Sequence, residues 1–133
     1  MLSHAHVLVA DDDPQLLDAV AEGLAHLGAH VACARSGADL IEQLATAGPF
    51  DLVVTDIRMP WMSGLQAMHS TRAAGLSTSV IVMTALTDER IPAQVRALGE
   101  NAVLLRKPFE LGELESAASM LLSAKQSGGE SAR

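Results

Sequence analysis

Five short apolar runs divide this chain, at His6–Ala10, His30–Ala34, 51–55, 80–84 and 102–105, and a stretch of helical periodicity follows each of them. The third and fourth runs, DLVVT and VIVMT, barely alternate polar with apolar residues, as expected of strands covered on both faces. After the first run, Pro14 opens a segment in which Leu16, Leu17, Val20, Ala21, Leu24 and Leu27 recur at helical spacing before Gly28 closes it. Ser36 is placed to cap a second helix through Leu40, Ile41 and Leu44, which ends before Gly48-Pro49. The spacing predicts further helices over 65–73, 88–98 and 111–122, the fourth only if Pro92 falls in its first turn or two. Strand and helix alternating with short connections predict a single open parallel sheet with helices on both faces.

A chain of 133 residues can bury one core without staples, and 49% apolar residues argue against disorder. Phe50, Trp61 and Phe109 are the whole aromatic complement, too few for a base-stacking surface. Nine basic against sixteen acidic residues, net −7, is the wrong sign for a phosphate backbone, so no direct nucleic-acid contact is expected. The lone Cys33 is expected to be buried filler, and one cysteine makes no internal bridge, which fits a reducing compartment. No run is long enough to cross a membrane and MLSHAH carries no signal-peptide pattern, so a cytoplasmic domain without membrane contact is expected. That domain spans 1–124; the polar KQSGGESAR at 125–133 reads as a tail or the start of a linker.

The unusual chemistry lies where the runs end. The first leads into Asp11, Asp12 and Asp13, the third into Asp56, the fourth ends on Thr84, and Lys107-Pro108 follows the fifth. In an open parallel sheet all of these arrive at the carboxyl edge of the strands, where ligands bind. Each alone is an ordinary turn former or cap, and Asp13 before Pro14 reads as a cap. Together they crowd carboxylates that repel one another unless a cation sits among them, and hard oxygen ligands suit Mg2+. With a lysine and a threonine hydroxyl added, the set has the parts to stabilise a phosphoryl group, and one carboxylate can act as nucleophile to take it as an acyl phosphate. No glycine-rich nucleotide loop is present, which points to a phosphorylated donor other than ATP and to a receiver of signals rather than a metabolic enzyme.

Asp11-Asp12, Asp56 within TDIRMPWMSG, Thr84 within VIVMTAL and Lys107-Pro108 within LLRKPF resemble the receiver domain of two-component response regulators, over nearly the whole chain from Val7 to Leu122. The resemblance implies a flavodoxin-like (βα)5 fold, doubly wound, with strand order 2-1-3-4-5. It implies Asp56 as phosphoacceptor, served by a sensor histidine kinase or a histidine phosphotransfer protein. Asp11, Asp12, Asp56 and the backbone carbonyl of Arg58 would hold Mg2+, with Thr84 and Lys107 on the phosphoryl oxygens. A face formed by the fourth helix, fifth strand and fifth helix would change on phosphorylation, and it is the face a homodimer would use, with the oligomeric state left open. The chain departs from the family at Leu104, where an aromatic ring is usual, so weaker coupling or coupling through Ile91, Val95 and Leu111 is expected. Arg58 and Leu86, each two residues past a site residue, flank the path of attacking water; apolar Leu86 cannot orient it, so slow self-dephosphorylation is expected.

Trp61 is expected to sense the site by fluorescence. His4, His6, His26, His30 and His69 show no converging ligand spacing and read as solvated or structural. Among rivals, a haloacid dehalogenase-type enzyme would need Thr or Val where Gln15 stands. A flavodoxin-like carrier would place anionic phosphate against three aspartates. The alternative kept open is an interaction module that binds without phosphorylation.

Overall fold

The strands pair in the order β2-β1-β3-β4-β5, every neighbour parallel. A computed structural model describes residues 2, 4–59 and 63–131, with side chains as far as residue 124. In chain order the elements are β1 His6–Ala10, α1 Pro14–His26, β2 His30–Ala34, α2 Gly37–Thr46, β3 Leu52–Asp56, α3 Gly64–Ala73, β4 Ser79–Thr84, α4 Arg90–Arg96, β5 Ala102–Arg106 and α5 Leu111–Ser131. This is the expected doubly wound sheet in the expected order. The chain runs outward from β1 to β2, then reverses through β3 to β5, so the switch point lies between β1 and β3.

Period-two geometry divides the core in two. Val7, Val9, Leu52, Val54, Ile81 and Met83 pack against Leu17, Val20 and Leu24 of α1 and Leu114, Ala118 and Leu121 of α5. Leu8, Ala10, Val53, Val80 and Val82 face Leu40 of α2, Met68 of α3 and Ile91 and Val95 of α4. Both faces of β3 and β4 are therefore filled, and every residue of the two strands is buried, which is why neither run alternates.

Local chemistry starts the helices where it was expected. Asp13 Oδ1 accepts the amides of Gln15 (3.0 Å) and Leu16 (3.5 Å), with Pro14 opening α1, and the Ser36 hydroxyl accepts the Asp39 amide at 3.0 Å. Ser63 and Gln66 form a reciprocal capping box on α3. α4 is shorter than the predicted 88–98: it has no side-chain cap, and Pro92 lies in its first turn, where its missing N–H costs nothing. α5 continues past the predicted 122 to Ser131, through most of the segment read as polar tail.

Two expectations are corrected. Cys33 is exposed, because β2 is an edge strand and its α1-side face, which carries Val31 and Cys33, is only partly covered there. Desolvation and the Asp18 carboxylate nonetheless raise its thiol pKa, which keeps it in the weakly nucleophilic thiol form. The histidines do converge in part: the ring of His30 lies 5.8 Å from that of His4 and 5.3 Å from that of His6. Trp61 lies outside the described residues.

Candidate active site

Asp11 is the first residue past β1 and is 1% exposed. Its amide still bonds Ala34 O at 3.1 Å, prolonging the β1–β2 ladder, and its Oδ1 accepts the Asp13 amide at 2.9 Å. The turn this creates leaves Asp12 exposed. Asp56 is the last residue of β3, registered beside Met83 of β4, and is buried. Carboxylate oxygens of Asp11, Asp12 and Asp56 all lie within 4.8 Å of one another.

One cation faces two of these acids. Lys107 Nζ is 3.0 Å from Asp11 Oδ2 and 3.4 Å from Asp56 Oδ1, with the lysine side chain only 20% exposed. β5 ends at Arg106, and the Lys107 amide donates to Thr84 O at 2.7 Å, so the β4–β5 ladder carries the lysine to the rim. The Lys107–Pro108 peptide is cis. Thr84, at the end of β4, is 1% exposed, and its Oγ1 accepts the Leu86 amide at 2.9 Å, leaving the hydroxyl proton to donate elsewhere. Arg106 Nη1 bonds Leu86 O at 3.2 Å on the other side of that turn.

The electrostatics follow from this crowding. Desolvation raises the Asp56 pKa, the Asp11 charge raises it further, and the Lys107 charge and hydrogen bond with the Arg58 backbone pull the other way without cancelling it. For Lys107 desolvation lowers the pKa, but the hydrogen bond to Asp11 and the charges of Asp56 and Asp11 outweigh it, and the net shift is upward. The ammonium therefore stays charged, and the three carboxylates exceed it. A hard divalent cation with waters in its coordination shell fits this surplus of oxygen donors, and the group is the one cluster of its kind among the described residues.

All five side chains expected at the site are thus delivered to the sheet's carboxyl edge. Arg58 is exposed beside them, with its backbone bonded to Asp56, while Leu86 turns inward against the core and borders a cavity of about 460 Å³ between α3 and α4. One contributor was not anticipated. Gly64 opens α3 directly against the end of β3, and a methyl group there would collide with the Asp56 carbonyl oxygen and lie 2.6 Å from Thr55 Oγ1. The sequence signal was the Ser63-to-Gln66 capping spacing, which puts Gly64 in the first helical position.

The family model described as the response regulator receiver domain matches residues 7–119. The chain is 36% identical over 111 residues to the transcriptional regulatory protein CrdR of Helicobacter pylori, covering 83% of this chain and 51% of that protein. It is 37% identical over 112 residues to the swarming motility regulation protein RssB of Serratia marcescens, covering 84% and 50%. The chain thus spans about half the length of these relatives. A response regulator receiver domain protein from Clostridium thermocellum superposes with a TM-score of 0.77 at 27% identity, covering 92% of this chain and 97% of that one. A receiver domain protein from Methanospirillum hungatei superposes at 0.87 with 20% identity, covering 95% and 99%, a likeness of fold.

Proposed function

This chain belongs to the response regulator receiver domain family, and on that premise we propose that Asp56 is its phosphoacceptor, served by the phosphohistidine of a sensor histidine kinase or a histidine phosphotransfer protein. The observation that carries this assignment is the shared ammonium of Lys107, held 3.0 Å from Asp11 and 3.4 Å from Asp56. A carboxylate beside a fixed cation and two further acids has what an in-line phosphoryl transfer needs: a nucleophile, a charge-neutralising partner and a place for Mg2+.

An Oδ atom of Asp56 attacks phosphorus, the P–N bond to the donor imidazole breaks with its electron pair remaining on nitrogen, and an acyl phosphate is left on Asp56. Asp11, Asp12, Asp56 and the Arg58 carbonyl would hold Mg2+, which when bound supplies positive charge to the phosphoryl oxygens. Lys107 transfers its ammonium from the carboxylates to one phosphoryl oxygen, and the Thr84 hydroxyl donates to another. The added charge of about −1.5 to −2 draws both donors inward. Rearrangement of the turn at Leu86 then reaches the face of α4, β5 and α5, through which the domain binds its partner or a second copy. Leu104, half-buried against the α2–α4 core, offers no ring to swing, so Ile91 and Val95 carry the change instead.

Among the described residues no helix is long and apolar enough to cross a membrane, which supports a cytoplasmic site of action. Incubation with acetyl phosphate and Mg2+, followed by intact-mass and peptide mapping, tests the assignment. One phosphoryl group on the wild type and none on Asp56→Asn is expected. Undiminished labelling of Asp56→Asn, mapped to Asp11 or Asp12, overturns the assignment of the acceptor. No labelling of the wild type favours the module that binds without phosphorylation.

A further inference from the structure

Three of the five histidines meet at the edge of the sheet opposite Asp56. His6 and His30 are register partners on β1 and β2, so their side chains leave the same face, and their ring centroids are 5.3 Å apart with planes tilted by 30°. His4 arrives by another route. Its backbone is left-handed, φ 64°, a conformation unfavourable for a residue with a Cβ, and its amide is tied to Gly28 O at 3.0 Å. That bend sets the third ring 5.8 Å from His30 at an interplanar angle of 24°. All three residues are exposed.

The surroundings favour a cation. The Asp51 carboxylate accepts the His6 amide at 2.8 Å, and α2 runs from the carboxyl edge of the sheet to this one, bringing the partial negative charge of its last carbonyls.

We propose that His4, His6 and His30 form a binding site for a divalent transition ion of the Ni2+ and Zn2+ class, independent of the acidic site. Such ions take neutral imidazole nitrogen, whereas carboxylate oxygen and water suit Mg2+, so the two ends of the sheet select different metals. In the stacked arrangement the ring lone pairs lie side by side rather than converging, and ligation requires the rings to turn about their side-chain bonds. Exposed histidines do so readily, because the terminal torsion is broad. Strand register keeps the His6 and His30 Cβ atoms about 5 Å apart, close enough for both rings to reach one ion at about 2.0–2.1 Å. His4 supplies the third nitrogen and water completes the shell. A bound ion would cross-link the segment preceding β1 to the β1–β2 pair.

Calorimetric titration of the metal-stripped full chain with NiCl2, in buffer holding excess Mg2+, tests the proposal. One Ni2+ per chain is expected. His30→Gln should weaken Ni2+ binding at least tenfold and leave acetyl phosphate labelling intact, while Cys33→Ser and His69→Gln should change nothing. Paramagnetic broadening of the amides of residues 4–7 and 28–31 should locate the ion. Absence of binding below about 1 mM Ni2+, equal affinity in His30→Gln, or loss of binding in Cys33→Ser overturns the proposal.

Discussion

Gly64→Ala isolates how tightly the β3–α3 turn must close for the acceptor to sit at the rim. The new methyl group would strike the backbone carbonyl of Asp56 and lie 2.6 Å from Thr55 Oγ1 and 3.1 Å from Thr55 Cγ2. Neither can move away cheaply. The first is backbone at the end of a fully paired strand, and Thr55 is 0% exposed with its hydroxyl bonded to the Asp56 carbonyl at 3.0 Å. Overpacking of this kind costs about 1–3 kcal/mol, against which the lower unfolded-state entropy of alanine returns about 0.4–1 kcal/mol. A net loss of about 1–2 kcal/mol follows, or roughly 3–10 °C in Tm for a domain of this size. Relief of the clash must shift the turn that carries Asp56 and Arg58, so labelling by acetyl phosphate should slow by about tenfold or more, since displacement near 1 Å can cost that much. Thermal unfolding in metal-free buffer and the initial labelling rate are the two readouts. Gly112→Ala, where an added Cβ meets nothing within 4 Å, is the control and should leave both readouts intact or raise Tm slightly. If Gly64→Ala matches that control in both, the close approach has no consequence and the reasoning fails.

Removing the Lys107 ammonium by Lys107→Met leaves buried Asp11 and Asp56 facing each other, and a loss of about 1–3 kcal/mol in urea unfolding at pH 7 is expected, partly restored by Mg2+. Because burial and Asp11 raise the Asp56 pKa, the folded state holds that proton more tightly than the unfolded chain. Its stabilising effect is complete below the ordinary carboxylate value of 3.8 and fades as pH rises through the folded pKa. Asp56→Asn in metal-free buffer should therefore be more stable than the wild type at neutral pH, and the two melting curves should draw together in acid; a less stable variant at pH 7 contradicts the sign. Mg2+ at ten times its Kd should raise wild-type stability by about 1.4 kcal/mol, and Asp12→Ala should abolish that gain in a thermal-shift titration. With Leu86 turned against the core, the phosphorylated form should persist for minutes or longer, Leu86→Glu should shorten its life, and hydrolysis of the wild type within seconds would exclude the assigned role.

The strands β3 and β4 were readable to within one residue because their interiors, Leu52–Val54 and Val80–Met83, hold no polar residue to mistake for a turn. Asp13 and Ser36 announced their helices by chemistry that acts within three residues. Features that depend on which strand neighbours which could not be read from the runs themselves, since the strand order was implied only by the family resemblance. Cys33 resembles core until β2 is known to be an edge, and the meeting of His6 with His30 requires the β1–β2 register. The site lay between these cases. Its acids could be placed on one rim from strand endings alone, but that one lysine spans Asp11 and Asp56 is a consequence of β5 lying three strands from β1 and a long side chain reaching back. α4 was the least legible helix because Pro92 and the absence of a cap leave its start to tertiary packing.

The 2.7 Å bond from the Lys107 amide to the Thr84 carbonyl ties the two proposed phosphoryl donors together through their main chains. Tension applied to either side group is thus handed to the same peptide linkage, and the two strand tips should respond as a single lever. A graded series of anions, differing in how many oxygens they offer, would then produce a stepwise rather than a continuous response in the turn beyond β4.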